Sequence, residues 1–256
     1  MLRFAANLSL LFRELPLPQR FAAAADAGFA AVEMQLPYEY PSAVLARAAR
    51  AAGMPVVLIN APLGPDPTCP GIACRAELRT EFRAGLERAA EYAEALGAPC
   101  VNVLAGRASA AEHADCIAQL SQHLSLAAQM LARAGARPLL ETINPLDVPG
   151  YCVPSFELAQ EVLAHADARV GLQFDVYHAA RLGLDPCDAF ARHRGRMAHL
   201  QFADAPGRHE PGTGTIDFRR LFLLIKDSDY SGWSAAEYRP AGSTLEGLAW
   251  LRAAGT

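Results

Sequence analysis

Short runs of β-strand composition alternate along the chain with longer stretches of helical periodicity, and this alternation recurs eight times. The predicted strands cover residues 3–7, 31–35, 56–60, 100–104, 138–141, 170–175, 197–201 and 234–237. One intervening helix is marked by apolar residues at helical spacing from Leu78 to Leu96, after which Gly97 ends it. Such strand–helix units predict a parallel sheet covered by helices.

Eight units within 256 residues favour one fold class, the closed (β/α)8 or TIM barrel of the α/β class. An open doubly wound sheet is the main alternative, and it would normally carry a glycine-rich phosphate turn after its first strand. Here no glycine follows Asn7 until Gly28. No stretch rich in glycine, serine or proline divides the sequence, so residues 1–256 are predicted to form a single TIM-barrel domain.

The charge balance argues against several classes of partner. Lysine and arginine number 23 against 27 aspartate and glutamate residues, without the basic excess typical of proteins that bind nucleic acid. No charge-free run of about 18 apolar residues occurs, so no membrane span is predicted. The first residues resemble a strand rather than a signal peptide, which predicts a cytoplasmic protein. The six cysteines form no CxxC pair and are predicted to be reduced thiols.

Polar residues stand at or beside the carboxyl end of every predicted strand. In a TIM barrel these ends surround one opening, where the active site lies. A carboxylate that follows an apolar strand is costly to bury unless it is paired, hydrogen-bonded or bound to a metal. The strand-end residues are Asn7, Glu33, Asn60, Asn102, Glu141, Asp175, Gln201 and Glu237.

The last four of these residues offer three carboxylates and one amide, all of them oxygen donors. Such a set predicts a hard cation, Mg²⁺ or Mn²⁺ rather than Zn²⁺, at Glu141, Asp175, Gln201 and Glu237. No organic cofactor is indicated. Glu141 and Glu237 are also the predicted catalytic pair, because two opposed carboxylates suit proton transfer beside a carbonyl group. For each carboxylate alone, helix capping or pairing with an arginine is the alternative.

Four residues are predicted to bind substrate. Asn7 and Asn60 stand at strand ends, and His178 lies three residues after Asp175. Arg208 lies on the loop after the seventh strand, where its fixed charge suits a substrate carboxylate, and His209 is a weaker candidate on that loop. A surface histidine and a solvated loop charge are the alternatives for His178 and Arg208.

Several sequence strings carry a resemblance to a known family. They include His-Leu-Gln-Phe-Ala-Asp at 199–204, followed by Glu-Pro-Gly-Thr-Gly at 210–214, and Gln-Phe-Asp-Val-Tyr-His at 173–178. Over nearly its whole length the chain resembles hydroxypyruvate isomerases of the xylose-isomerase-like barrel superfamily. The resemblance implies interconversion of hydroxypyruvate and 2-hydroxy-3-oxopropanoate (tartronate semialdehyde), with Glu141 and Glu237 matching the family's paired acid/base glutamates. Related sugar epimerases bind a divalent metal at positions matching Glu141, Asp175, Gln201 and Glu237.

Two departures and several alternatives remain. The related epimerases usually carry histidine where this chain has Gln201, which argues against tight Zn²⁺ binding, and Pro145 stands where the family often has histidine.

The activity could be that of a 2-oxo-tetronate isomerase, or of a metal-dependent sugar epimerase or dehydratase. An apurinic-site endonuclease shares the fold but needs a histidine-rich zinc cluster, and only His178 and His199 lie near strand ends. The expected partner is a small hydroxy-keto acid, and assembly into a homo-oligomer is left open.

Overall fold

The computed structural model describes residues 2–66 and 68–254, and within them eight parallel strands close into one barrel. Each strand pairs with the next one along the chain, and the eighth pairs with the first, so the predicted (β/α)8 barrel is confirmed. The strands are β1 Phe4–Asn7, β2 Ala31–Met34, β3 Val56–Asn60, β4 Cys100–Asn102, β5 Arg137–Glu141, β6 Gly171–Asp175, β7 Met197–Phe202 and β8 Ser234–Ala236.

Helices fill the connections between the strands and cover the outside of the barrel. The middle of the apolar stripe predicted before Gly97 is buried on α3, whereas Leu78 precedes the helix and Leu96 is half-buried; Gly97 adopts a left-handed φ of 66° that ends this helix. Among the described residues, no helix is both long and apolar enough to cross a membrane. The helices are α1 Leu17–Asp26, α2 Ser42–Ala51, α3 Arg79–Leu96, α4 His113–Leu131, α5 Phe156–His165, α6 Val176–Arg181, α7 Pro186–His193, α8 Phe218–Asp227 and α9 Ala249–Ala254.

Strand periodicity separates an apolar interior from a polar mouth. Residues two apart on a strand share a face, so the side chain two positions before each strand-end residue also points into the barrel. Those deeper positions are apolar on several strands and, together with Val57, form two small buried clusters, whereas the main core lies between the strands and the helices. The interior clusters comprise Ala5, Ala31, Val57 and Ala235, and Leu58, Cys100 and Leu139.

Parallel pairing then brings the polar strand ends to the same end of the barrel. Asn7 lies opposite Glu33, and Asp175 lies opposite Gln201. β3 has the predicted bounds, and the other strands differ from the predicted ones by one or two residues at their ends; β4, for example, stops at Asn102 rather than at residue 104. The polar residues therefore gather at the carboxyl end of the barrel, above the apolar interior.

Candidate active site

A pocket of about 200 Å³ opens at the carboxyl ends of the strands. The two predicted catalytic glutamates, Glu141 at the end of β5 and Glu237 directly after β8, both line it. An apolar wall completes the pocket, formed by Leu36, Leu63, Leu104, Ile143 and Val148.

Glu237 is held by hydrogen bonds to both of its carboxylate oxygens. Its Oε1 accepts from the side-chain amides of Asn7 at 3.2 Å, Gln35 at 2.9 Å and Gln201 at 3.1 Å. Its Oε2 accepts from Arg208 Nη2 at 2.5 Å. Burial raises the pKa of Glu237 to about 7, against the opposing effect of the Arg208 charge. The side chain is therefore fixed in place and titrates close to neutral pH.

Glu141 has far fewer donors. Its Oε2 accepts from Asn102 Nδ2 at 2.7 Å, and its Oε1 lies 3.8 Å from His178 Nε2. Burial raises the pKa of Glu141 well above the usual range, and the nearby carboxylates of Glu237 and Asp175 raise it further. The two glutamates thus differ, because Glu237 has four N–H donors to stabilise its charge and Glu141 has one close donor.

Arg208 supplies the positive charge of the pocket. Its Nη2 bridges Glu237 Oε2 and Asp175 Oδ2, the latter at 3.2 Å, and the guanidinium lies 4.8 Å from the centre of the Tyr177 ring. Its Nε is buried and has no hydrogen-bond partner among the described residues. Arg208 therefore retains an unused donor beside the two carboxylates.

His178 reaches the same pocket as a neutral donor. Its Nδ1 lies 3.4 Å from the backbone nitrogen of Asn144 and 2.7 Å from the Asn144 side-chain amide nitrogen. Because a backbone N–H can only donate, this pattern assigns Nδ1 as the acceptor and places the proton on Nε2. Burial lowers the pKa of His178 well below its usual value. The Nε2–H lies 3.5 Å from Asp175 Oδ2, between the acidic side chains.

Glu33 and His199 form a second polar layer. Glu33 Oε2 lies 2.6 Å from His199 Nε2, and Glu33 Oε1 accepts from Asn7 and Gln201, each at 2.7 Å. Asn7 was predicted to bind substrate, but its amide group is directed to Glu33 and Glu237. Gln201, a predicted metal ligand, also donates its amide N–H to Glu33 and Glu237, and its Oε1 accepts from Gln173 Nε2 at 2.6 Å.

Asn60, another predicted substrate-binding residue, does line the pocket. Its side-chain oxygen is buried and accepts no hydrogen bond within the described structure. The backbone oxygen of Asn60 accepts from Tyr38 at 2.6 Å, which holds the residue in place. Asn60 thus has an unpaired acceptor at the pocket wall. His209 instead points its Nδ1 at the Arg239 carbonyl oxygen, 2.7 Å away.

The donor chemistry fits a hard divalent cation. Glu141 and Glu237 line the pocket with one guanidinium, and Asp175 lies directly behind it with its Oδ2 3.2 Å from Arg208 Nη2, so three carboxyl groups surround one arginine. Ligand atoms of Glu141, Asp175 and His178 all lie within 4.8 Å of one another. The protonated Nε2 of His178 is not free to ligate, however, so the available ligands are carboxylate oxygens.

Sequence reasoning did not select Gln35, although this amide donates directly to Glu237. Gln35 lies two residues after Glu33, and the two-residue periodicity of a strand was the signal that could have placed it on the same face. The partner of His178, Asn144, carried no such signal, because the contact joins helix α6 to the loop after β5, which only the folded barrel brings together.

Residues 21–254 match the family model described as xylose isomerase-like TIM barrel. The chain belongs to this family. The hydroxypyruvate isomerase of Escherichia coli (strain K12) is 37% identical over 98% of each chain. The 2-oxo-tetronate isomerase of Cupriavidus necator is 37% identical as well, over 98% of this chain and 97% of that protein. The resemblance to hydroxypyruvate isomerases that the sequence strings indicated is confirmed.

Solved structures agree with this membership in the xylose isomerase-like family. AP endonuclease, family 2 from Brucella melitensis superposes with a TM-score of 0.94 at 34% identity, covering 99% of both chains. The 3-keto-D-glucoside 4-epimerase from E. coli has a TM-score of 0.82 at 21% identity over 99% of this chain and all of its own, and shows the shared fold.

Proposed function

We propose that the protein is an aldose–ketose type isomerase that interconverts hydroxypyruvate and 2-hydroxy-3-oxopropanoate in the cytoplasm. The observation that carries the proposal is the pair Glu141 and Glu237, which line one small pocket in unequal hydrogen-bonding environments. Full-length relatives named hydroxypyruvate isomerase support the choice of substrate.

The reaction moves a hydrogen from C3 to C2 while the carbonyl group moves from C2 to C3. Glu237 serves as the base that takes the C3 proton, because its donors favour the ionised form and its pKa is near 7. Glu141, whose raised pKa favours the protonated form, delivers a proton to C2. The hydroxyl proton on O3 passes to O2 across the enediol, so one proton enters and one leaves the substrate carbon skeleton.

The remaining pocket residues hold the substrate and its intermediate. Arg208 offers its unpartnered Nε–H to the substrate carboxylate or to the developing enediolate oxygen. The Nε2–H of His178 is placed to donate to the carbonyl oxygen, and the free oxygen of Asn60 accepts from a substrate hydroxyl. These residues bind and orient, whereas the two glutamates move protons.

We further propose that Glu141, Asp175 and Glu237, together with Gln201, hold Mg²⁺ or Mn²⁺. When bound, such an ion would stabilise negative charge on the substrate oxygens. The proximity of Asp175 and Glu237 to Arg208, with the Glu141 carboxyl group close enough to act on the same guanidinium, supports this proposal. A ligand role for Gln201 requires its oxygen to turn away from Gln173.

A 2-oxo-tetronate isomerase is the second candidate, because the Cupriavidus enzyme of that name is as similar to this chain as the E. coli hydroxypyruvate isomerase. A nuclease activity is less favoured, because an acidic mouth repels the phosphates of a nucleic acid. NMR in D₂O distinguishes the candidates when hydroxypyruvate, a 2-oxo-tetronate and common ketoses are each incubated with enzyme. We expect deuterium at C2 of 2-hydroxy-3-oxopropanoate. Exchange confined to the four-carbon acid or to a ketose would reject the proposed substrate.

A further inference from the structure

The loop between β7 and α8 carries Arg208 in an unusual backbone conformation. Arg208 has a φ of 56°, in the left-handed region that residues other than glycine rarely adopt. Surrounding contacts must hold such a residue in place. Its N–H donates to the carbonyl oxygen of Asp204 at 2.9 Å, and its own carbonyl accepts from the Arg239 N–H at 2.9 Å.

Asp204 gathers this loop around its carboxylate. Its Oδ1 accepts from the backbone N–H groups of Ala205 at 2.9 Å and Ile216 at 3.1 Å. Its Oδ2 accepts from those of Gly212 and Gly214, both at 2.9 Å. Asp204 is only 1% exposed, so these four donors replace water around a buried charge. One side chain therefore joins the start and the end of the loop that holds Arg208.

Gly214 shows how closely the loop fits around this carboxylate. A Cβ atom at Gly214 would overlap the carbonyl oxygen of Ala205 and would lie 2.6 Å from Asp204 Oδ1. The close approach of the Asp204 carboxylate therefore requires a residue without a side chain at position 214, and the Gly214 N–H in turn donates to Asp204. This contact gives a physical reason for two strings of the sequence, the aspartate that ends 199–204 and the glycines of 210–214.

We infer that Asp204 is a positioning residue for Arg208. Through the loop backbone, Asp204 holds the Arg208 guanidinium between Asp175 and Glu237. Asp204 itself does not line the pocket, but the loop that it organises presents the arginine to it. The kinetic test of this inference rests on the proposed function, because it measures turnover of hydroxypyruvate. The position of the Arg208 guanidinium can be measured without any activity.

The test compares Asp204→Asn with Arg208→Met and with the double variant. An amide keeps the shape but replaces one acceptor oxygen by a donor that faces two N–H groups, so the loop must shift. We expect Asp204→Asn to lower kcat/KM for hydroxypyruvate by about 100-fold, as a displacement of about 1 Å can. In the Arg208→Met background, adding Asp204→Asn should lower kcat/KM little further. In the single variant Asp204→Asn, KM should rise by a larger factor than kcat falls. Equal losses in both backgrounds would mean a general structural role and would overturn the inference.

Asp217→Asn is the matched control, because Asp217 caps α8 directly after the loop and, within the described part of the chain, its side chain accepts a hydrogen bond only from the Arg220 N–H. It should lower the melting temperature and leave kcat/KM unchanged. A crystal structure of Asp204→Asn supplies the readout that is independent of activity. We expect Arg208 Nη2 to leave hydrogen-bond distance of Glu237, and an unmoved guanidinium would overturn the inference even if no tested acid is isomerised.

If Asp204→Asn does not fold, Gly214→Ala is the second variant. It disturbs the contact between Gly214 and Asp204 and leaves the side chains of Asp204 and Arg208 unchanged. The same displacement of Arg208 and the same dependence on the Arg208 background are expected. A folded Gly214→Ala enzyme with wild-type kcat/KM and an unmoved Arg208 would count against the inference.

Discussion

The carboxylates of Glu33 and Glu237 are joined by the same two amide groups. Asn7 Nδ2 lies 2.7 Å from Glu33 Oε1 and 3.2 Å from Glu237 Oε1, and Gln201 Nε2 lies 2.7 and 3.1 Å from the same two atoms. Burial is the main reason for the raised pKa of Glu237, and the charge of Glu33 adds to it. The orientation and the titration of Glu237 are therefore partly set by a residue of the layer beneath it.

Replacing either glutamate of the pair by glutamine should abolish most of the turnover. Glu141→Gln and Glu237→Gln keep the shape of the side chain and remove its proton chemistry, so each should lower kcat by about 100-fold or more. The double variant should be little worse than either single one, because the two residues act as a unit. Steady-state kinetics on hydroxypyruvate measures these losses, with the exposed Glu157→Gln as control. Near-wild-type turnover in either variant would reject the acid/base assignment.

The pH profile should report Glu237. The base must be ionised, and its pKa is about 7, so kcat/KM should fall as the pH drops through about 7. Glu33→Gln removes a charge that raises this pKa, and the acidic limb should then move to lower pH. Measuring kcat/KM from pH 5 to pH 9, in steps of about half a unit, gives both curves. A limb that stays in place in Glu33→Gln would contradict the proposed coupling.

Glu141→Gln should make the protein more stable even though it removes activity. The pKa of Glu141 is higher in the folded than in the unfolded chain, so its contribution to stability is greatest at low pH and is lost as the pH rises. The glutamine amide does not ionise, so the variant avoids this loss of stability. Its free energy of unfolding should exceed that of wild type by an amount that grows from pH 5 to pH 8. Each kcal/mol gained should raise the melting temperature by about 2–4 °C. Thermal unfolding in EDTA measures it; a gain independent of pH would contradict this account.

Binding of Mn²⁺ tests the proposed cation site directly. Electron paramagnetic resonance of free Mn²⁺ should show one ion bound per chain, and Asp175→Asn should weaken binding by about 10-fold or more. Asp175→Asn retains an oxygen that can cap α6 through the Tyr177 N–H, so the fold should persist. Wild-type protein that binds no Mn²⁺ would reject the site. Full activity after exhaustive chelation would show that the ion is dispensable.

The fold was predictable because its signals are local. Apolar runs of strand composition, the stripe on α3 and the left-handed glycine after it are each written within a few neighbouring residues. Strand ends were less predictable, since a strand stops where its neighbour's hydrogen bonds stop, as β4 does at Asn102. The layer of polar strand ends followed from the fold class, because parallel strands of a barrel place their carboxyl ends at one mouth.

The roles within that layer were not predictable from residue type alone. Asn7 and Gln201 were predicted to contact substrate and metal, and those predictions stay open; the structure adds that both amides donate to Glu33 and Glu237. An amide at a strand end can point up into the pocket or sideways to a neighbouring carboxylate. The choice depends on distances across the barrel that no local pattern encodes.

The sequence by itself determined the eight strand–helix units, the family and the residues that gather at the mouth. Only the tertiary structure decided that Glu237 has four N–H donors and Glu141 one close donor, because these donors come from distant strands and loops. It likewise decided that Asp204, a buried loop residue outside the pocket, governs the place of Arg208. Hydrogen bonds and burial act through space, and the closed barrel brings together side chains that are far apart along the chain.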